Sequence, residues 1–253
     1  QSDTIRHQVG DKLISPIFSI PWRHHIEILT KCRTIDEALF YVGKTLENGW
    51  SRAVLLNFLD ARLFETQGKA LTNFRKNLPE PMSDLAQQTL KDPYNFDFLT
   101  MRENYNEREL EDALTTNITR FLLELGSGFA FVGRQVRLEV NGNEYFIDLL
   151  FYHLKLRCYT VVELKVTEFK PEYLGQLGFY VTAVNRQLRR TEDNPTIGLI
   201  ICKTKDRVVA EYALEGTNQP LGISQYDLMK VTSEELKNTL PSIEEIENEL
   251  NEK

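Results

Sequence analysis

Residues 145–166 constrain this chain more than any other stretch. They read as two strands, 145–153 and 157–166, joined by a turn at Leu154-Lys155-Leu156. Both runs are rich in apolar and β-branched residues, as buried strands are. Three ionic residues interrupt them. Asp148 stands within Phe146-Ile147-Asp148-Leu149-Leu150-Phe151, and Glu163 and Lys165 within Val161-Val162-Glu163-Leu164-Lys165-Val166. Strand side chains alternate faces, so Glu163 and Lys165 point the same way. An ionised group on so apolar a strand is costly unless it is paired or binds a metal.

Two carboxylates can hold Mg²⁺ or Mn²⁺ and leave coordination places for water and a phosphate. Such a cation activates the water and neutralises charge on a phosphorane-like transition state. A neighbouring lysine orients the water or stabilises the developing charge. The same residues also suit a buried ion pair with a purely structural role. From these residues alone both readings stand.

The pattern, Asp and then Glu-x-Lys about a hairpin later, resembles the signature of the PD-(D/E)XK nuclease superfamily. Gly133-Arg134-Gln135, Ile147-Asp148-Leu149-Leu150-Phe151-Tyr152-His153, Glu163-Leu164-Lys165, Phe169-Lys170-Pro171-Glu172-Tyr173 and Gly198-Leu199-Ile200-Ile201-Cys202 resemble the bacterial YhcG-type family within it. Ile147 stands where the superfamily name has proline. The resemblance implies a mixed α/β (α+β) sheet of restriction-endonuclease type, residues 99–253, behind an α-helical N-terminal domain, residues 1–98. It implies a Mg²⁺- or Mn²⁺-dependent endonuclease acting on DNA. Asp148, Glu163 and the Leu164 carbonyl would hold the metal, and Lys165 would serve the attacking water. The alternative is a catalytically silent nuclease fold that binds nucleic acid or a protein.

Ahead of that region the chain reads as helices. A helix is expected over 22–32; adjacent His24 and His25 make poor metal geometry and read as surface or packing residues. Thr34-Ile35-Asp36-Glu37 is a capping box, and the helix it starts stops at Asn48-Gly49. Ser51 caps a helix over 52–66. Two helices joined by a short Gly turn have the helix-turn-helix outline. This domain would bind DNA or assemble a homo-oligomer, the second reading being at least as good. A short helix is expected over 83–90, then an extended connection through Pro93 to a boundary near 98–101.

Over 104–125, Leu110, Leu114, Ile118, Phe121, Leu122 and Leu125 recur at helical spacing. Glu111 falls inside this apolar stripe and needs a partner. The superfamily's first helix contributes a carboxylate behind the metal, and Glu111 matches that place; Glu107, one turn earlier, is the second choice. A strand over 129–140 turns at Asn141-Gly142 into the strand of Asp148, and the resemblance puts Gln135 near the site. A helix over 172–189 follows Lys165. Gln176 and Tyr180, one turn apart, resemble the Gln-x-x-x-Tyr motif of RecB-like members, implying contact with DNA or orientation of the lysine. Arg186, Arg189 and Arg190 could touch phosphates or simply complement the helix dipole. A strand over 196–203, a helix over 208–214, a strand over 221–226 and helices over 233–237 and 243–250 complete the order.

Composition excludes several classes. A net charge of −7 argues against a globally basic nucleic-acid binder, although acidic residues crowd Glu234 to Glu252, away from the strands. No apolar run approaches the ~18 residues of a membrane span, and no membrane partner is expected. No signal peptide is visible at Gln1, whose position as first residue implies an expressed or processed start. Cys32, Cys158 and Cys202 lack zinc spacing and fit a reducing cytoplasm. There is no Gly-rich phosphate loop, no G-x-S-x-G elbow and no His-rich metal motif.

Overall fold

The computed structural model describes residues 18–102 and 104–228. Both expected C-terminal helices, 233–237 and 243–250, lie outside the described residues. The first elements are α1 (Trp22–Lys31), α2 (Ile35–Asn48), α3 (Arg52–Asp60) and α4 (Leu63–Thr66). They bury Ile28, Tyr41, Val42, Trp50, Leu55, Phe58 and Leu63 in one cluster. Thr34 accepts from the Glu37 N–H, and Gly49 ends α2 at φ 62°. The Glu37 carboxylate accepts from the Arg33 N–H at 2.8 Å, not from Thr34, so the box is half made. The single helix expected over 52–66 is two, because Arg62 takes a left-handed φ of 50°. That turn re-aims Leu63 into the cluster containing Phe58.

The rest is a mixed sheet with helices on both faces. Its strands are β1 (Leu71–Thr72), β2 (Tyr94–Asn95), β3 (Phe129–Val140), β4 (Asn143–His153), β5 (Cys158–Glu168), β6 (Ile197–Thr204) and β7 (Leu221–Asp227). The order is β1-β7-β6-β5-β4-β3, with β2 beside β7. β3, β4 and β5 form an antiparallel meander, and β5, β6 and β7 run parallel. The helices are α5 (Phe74–Asn77), α6 (Met82–Thr89), α7 (Glu107–Thr116), α8 (Ile118–Leu125), α9 (Glu172–Gln187) and α10 (Arg207–Glu215). One face packs Leu110, Leu114, Phe121 and Leu125 against Leu149, Phe151, Val162 and Leu164. The other packs Leu177, Val181 and Val184 against Ile147, Val161 and Ile200. Gly198 lets α9 lie close on β6, since a Cβ there would stand 2.9 Å from Leu177 and Val181 side-chain carbons.

Two expectations differ from this arrangement. The helix expected over 104–125 breaks at Asn117 (φ −102°, ψ 33°), whose side-chain amide donates to the Ala113 carbonyl at 3.0 Å. An Asn side chain competes with the backbone for such carbonyls. The expected division near 98–101 also differs from the packing. Ala70, Phe74, Leu90, Tyr94, Phe96 and Leu99 share the core of the sheet, and β1 and β2 both pair with β7. Phe96 stacks on Tyr226 at 5.3 Å between centroids. The hydrophobic clusters therefore separate between Leu63 and Ala70.

Candidate active site

The β4–β5 ladder runs from His153↔Cys158 to Leu149↔Val162. Asp148 and Glu163 come next, just past its last pair, where the two strands fork. The Asp148 N–H donates to Glu163 Oε1 at 3.4 Å, and the Leu164 N–H donates to Asp148 Oδ2 at 3.0 Å. Each strand's backbone thus binds the other strand's carboxylate. Val162 and Leu164 enter the core on one face, which turns Glu163 and Lys165 to the other, as strand alternation requires.

Four more side chains converge on this fork. Glu111 reaches it from α7 and is 4% exposed. Gln135, on β3, lies opposite Asp148, between the pairs Arg134↔Leu149 and Val136↔Ile147. Its Nε2 donates to Glu111 Oε2 at 2.5 Å and to Asp148 Oδ1 at 3.4 Å. Lys165 Nζ lies 3.3 Å from Glu107 Oε2 and 3.8 Å from Glu163 Oε2. It also stands 5.3 Å over the Tyr173 ring.

Burial sets the electrostatics. It pushes the Glu163 carboxyl up to about 8, and the Asp148 charge adds to the rise. Burial also raises Asp148, against the Leu164 N–H and the Lys165 charge. It raises Glu111 against the Gln135 hydrogen bond. For Lys165, burial works downward, but the charges of Glu163, Glu107 and Asp148 outweigh it and leave the ammonium raised.

The remaining expected residues divide. Gln176 Nε2 donates to the Tyr180 hydroxyl at 3.1 Å. Tyr180 is buried, and burial raises its hydroxyl against the Gln176 hydrogen bond, the charges of Glu163 and Asp148 adding to the rise. Arg186, Arg189 and Arg190 are exposed at the far end of α9. Arg186 lies ten residues beyond Gln176, about 15 Å of helix rise, so these arginines do not join the carboxylates. Both sequence choices for a helix carboxylate are used: Glu111 faces Asp148 through Gln135, and Glu107 holds Lys165. Sequence reading missed Tyr173, for which no motif signals the ring beneath the ammonium. Arg134, given no role in the sequence beyond its place in Gly133-Arg134-Gln135, has its Nε 3.9 Å from Glu111 Oε1.

The donor set suits a divalent cation. Glu163 Oε2 is buried with no hydrogen-bond partner; Lys165 answers Glu163, Glu107 and the Asp148 charge, and Arg134 stands beside Glu111. Hard oxygen ligands and surplus negative charge are what Mg²⁺ and Mn²⁺ take. Among the described residues no three His, Cys, Asp or Glu side chains form a ready-made metal cage. A cation here would be held by Asp148, Glu163, backbone oxygen and water. A cavity of about 100 Å³ between the N-terminal helices and the sheet is lined by Trp50, Phe58, Lys91, His153 and Lys155, and no residue of the fork borders it.

Residues 87–241 match the model of the YhcG PDDEXK nuclease domain, and residues 4–66 match that of the DUF1016 N-terminal domain. The chain is 32% identical over 247 residues to the candidate nuclease YhcG of Escherichia coli (strain K12). That match covers 94% of this chain and 65% of the relative's length. Among solved structures, a repair endonuclease from Pyrococcus abyssi is 14% identical at a TM-score of 0.33, covering 53% of this chain and 50% of its own. EndoMS in a complex with double-stranded DNA is 14% identical at a TM-score of 0.36, covering 54% and 49%.

Proposed function

The chain belongs to the family of the YhcG PDDEXK nuclease domain, and on that premise we propose that it hydrolyses DNA phosphodiester bonds with Mg²⁺ or Mn²⁺. The observation that carries this reading is the surplus of buried carboxylate at the fork, with Glu163 Oε2 left without a hydrogen bond. Asp148, Glu163 and the Leu164 carbonyl hold the cation, and Glu111 supports it from α7. When bound, the cation lowers the pKa of its water and neutralises charge on the scissile phosphate.

The chain's own groups do the rest. Asp148 is fixed by the Leu164 N–H at 3.0 Å, so its carboxylate meets ligands in one orientation. Lys165 keeps its proton because acidic neighbours surround it. It orients the attacking water and stabilises the oxygen on which charge develops. Glu107 and the Tyr173 ring hold the ammonium over the fork. Gln176 and Tyr180 line the approach and position the DNA backbone. Arg186, Arg189 and Arg190 lie along α9 from the chemistry and suit phosphates farther along a duplex. The N-terminal helices bind DNA or pair with a second copy. Three free cysteines support a reducing cytoplasm as the setting.

Incubation with plasmid, linear, branched and single-stranded DNA under Mg²⁺, Mn²⁺ or EDTA tests this reading. Cleavage that EDTA abolishes is expected. DNA binding with no cutting under either metal would leave the silent binding module in its place.

A further inference from the structure

Gln135 is the one fork residue whose backbone departs from its strand. It sits at φ 44°, in the left-handed region, inside an otherwise extended β3. A non-glycine residue holds that conformation only where its surroundings impose it, and such residues gather at functional sites. Gln135 is exposed at this position, and its Nε2 donates to Glu111 Oε2 at 2.5 Å and to Asp148 Oδ1 at 3.4 Å. Carboxylates only accept, so the amide must present its NH₂ to both, and a water-mediated or flipped arrangement would lose the pair. These two acids come from different elements: Glu111 from α7 and Asp148 from β4. No other described residue is seen to hydrogen-bond both carboxylates. Arg134, next in sequence, reaches Glu111 only at 3.9 Å and is otherwise engaged with Asp112.

We infer that Gln135 is a positioning residue, a strained strap that ties the α7 carboxylate to the β4 carboxylate and so fixes the width of the cation site. This rests on the metal-dependent reading above and gives Gln135, expected only near the site, a part in supporting the metal ligands. Partners that orient ligands in this way typically account for about 10–100-fold in metal affinity. The backbone strain and the amide contribution can be separated by substitution. Gln135→Gly deletes the amide and relieves the left-handed φ. Gln135→Met keeps the length and the strain and deletes only the amide.

The test is Mn²⁺ titration by calorimetry on the full chain, with melting temperatures measured alongside. Both variants should bind Mn²⁺ about tenfold more weakly, while Gln135→Gly melts no lower than wild type. Unchanged affinity in both variants overturns the inference, as does an affinity loss confined to a variant that has lost stability. A metal-free arm pairs Gln135→Met with Glu111→Met, which removes the acceptor on α7. The effect of Gln135→Met on the unfolding equilibrium should largely vanish in the Glu111→Met background, and effects that simply multiply overturn the strap. Wild type that binds no more Mn²⁺ than Asp148→Ala/Glu163→Ala removes the metal reading itself. Wild type that binds while the Gln135 variants match it removes this inference alone.

Discussion

Lys91 and Glu124 are buried beside each other where the N-terminal helices meet the sheet, and Glu111, Asp148 and Glu163 are buried together at the fork of β4 and β5. The first set is balanced. Lys91 Nζ stands 3.1 Å from Glu124 Oε1 and 5.3 Å over the Phe58 ring. Glu124 also accepts from the Asn95 N–H at 3.0 Å. Burial pushes Lys91 down and Glu124 up, and each partner's charge works against the other's shift. The second set has four acids, counting Glu107, against Lys165 and, beside Glu111, Arg134. All three of its buried carboxyls are raised by burial, and each is raised further by a neighbour's negative charge. Lys91 Nζ, like Glu163 Oε2, is buried without a hydrogen bond, but its charge is answered by one opposite charge within the folded chain. A surplus of one sign implies something of opposite sign that the chain must take up.

The largest expected effects lie in the balanced pair. Lys91→Met alone, or Glu124→Gln alone, should cost about 3–5 kcal/mol in urea unfolding, because each strands a buried charge. The double variant should recover most of that loss. Losses that add in the double variant would break the pairing and with it the contrast. Next comes Lys165→Ala. It should lower cleavage by about 10²–10³ while changing the salt slope of DNA binding by only about one unit. Equal losses in cutting and binding would make Lys165 a phosphate contact only.

The two regions were unequally legible in the sequence. Asp148, Glu163 and Lys165 stand out because ionic residues break very apolar strands, and Glu111 because it interrupts an apolar helix stripe. Lys91 and Glu124 give no such signal. Lys91 begins the stretch Lys91-Asp92-Pro93, which reads as an extended connection, and Glu124 lies outside the apolar stripe of its helix with no motif to mark it. Their partnership spans 33 positions and exists only through tertiary packing. The same is true of β1 and β2, two-residue strands whose membership in the sheet depends on β7. The left-handed φ of Gln135 was hidden because glutamine carries no preference for it. The breaks at Arg62 and Asn117 escaped periodicity because the apolar pattern continues through them.

A smaller effect sharpens the comparison through pH. His153 is fully buried near Lys91, and its Nδ1 accepts from the Leu156 N–H at 3.0 Å. Burial, then the Lys155 charge, lowers its pKa from 6.5 to about 4. The folded chain therefore binds its proton less readily than the unfolded chain. This contribution to stability is present above pH 6.5 and is lost as pH falls toward 4. Between pH 7.5 and 5.0 the loss should be about 2 kcal/mol. Urea unfolding of wild type and His153→Gln at both pH values isolates it. Identical pH dependence in the two proteins would mean that His153 is not held neutral. The fork should respond with opposite sign, since carboxyls with raised pKa favour the folded state as pH falls.

The smallest effect is the sharpest, because it turns on sign. Glu124→Gln removes the charge that answers Lys91 and should destabilise. Glu163→Gln removes one of several like charges and keeps the shape of the side chain. Without metal, wild type must crowd Asp148 and Glu163 or hold one of them protonated, and either costs folding free energy. The amide has neither cost. Its NH₂ can also donate to the Asp148 carboxylate, which the glutamate cannot do when ionised. Glu163→Gln should therefore raise stability by about 1 kcal/mol, or roughly 2–4 °C in melting temperature, when measured in EDTA. With millimolar Mn²⁺ the order should reverse, since ligand binding stabilises only the form that binds. Wild type then gains and the variant does not. If Glu163→Gln melts below wild type in EDTA, as Glu124→Gln should, Glu163 belongs to a balanced structural network. The surplus of charge that supports a cation at the fork would then be gone.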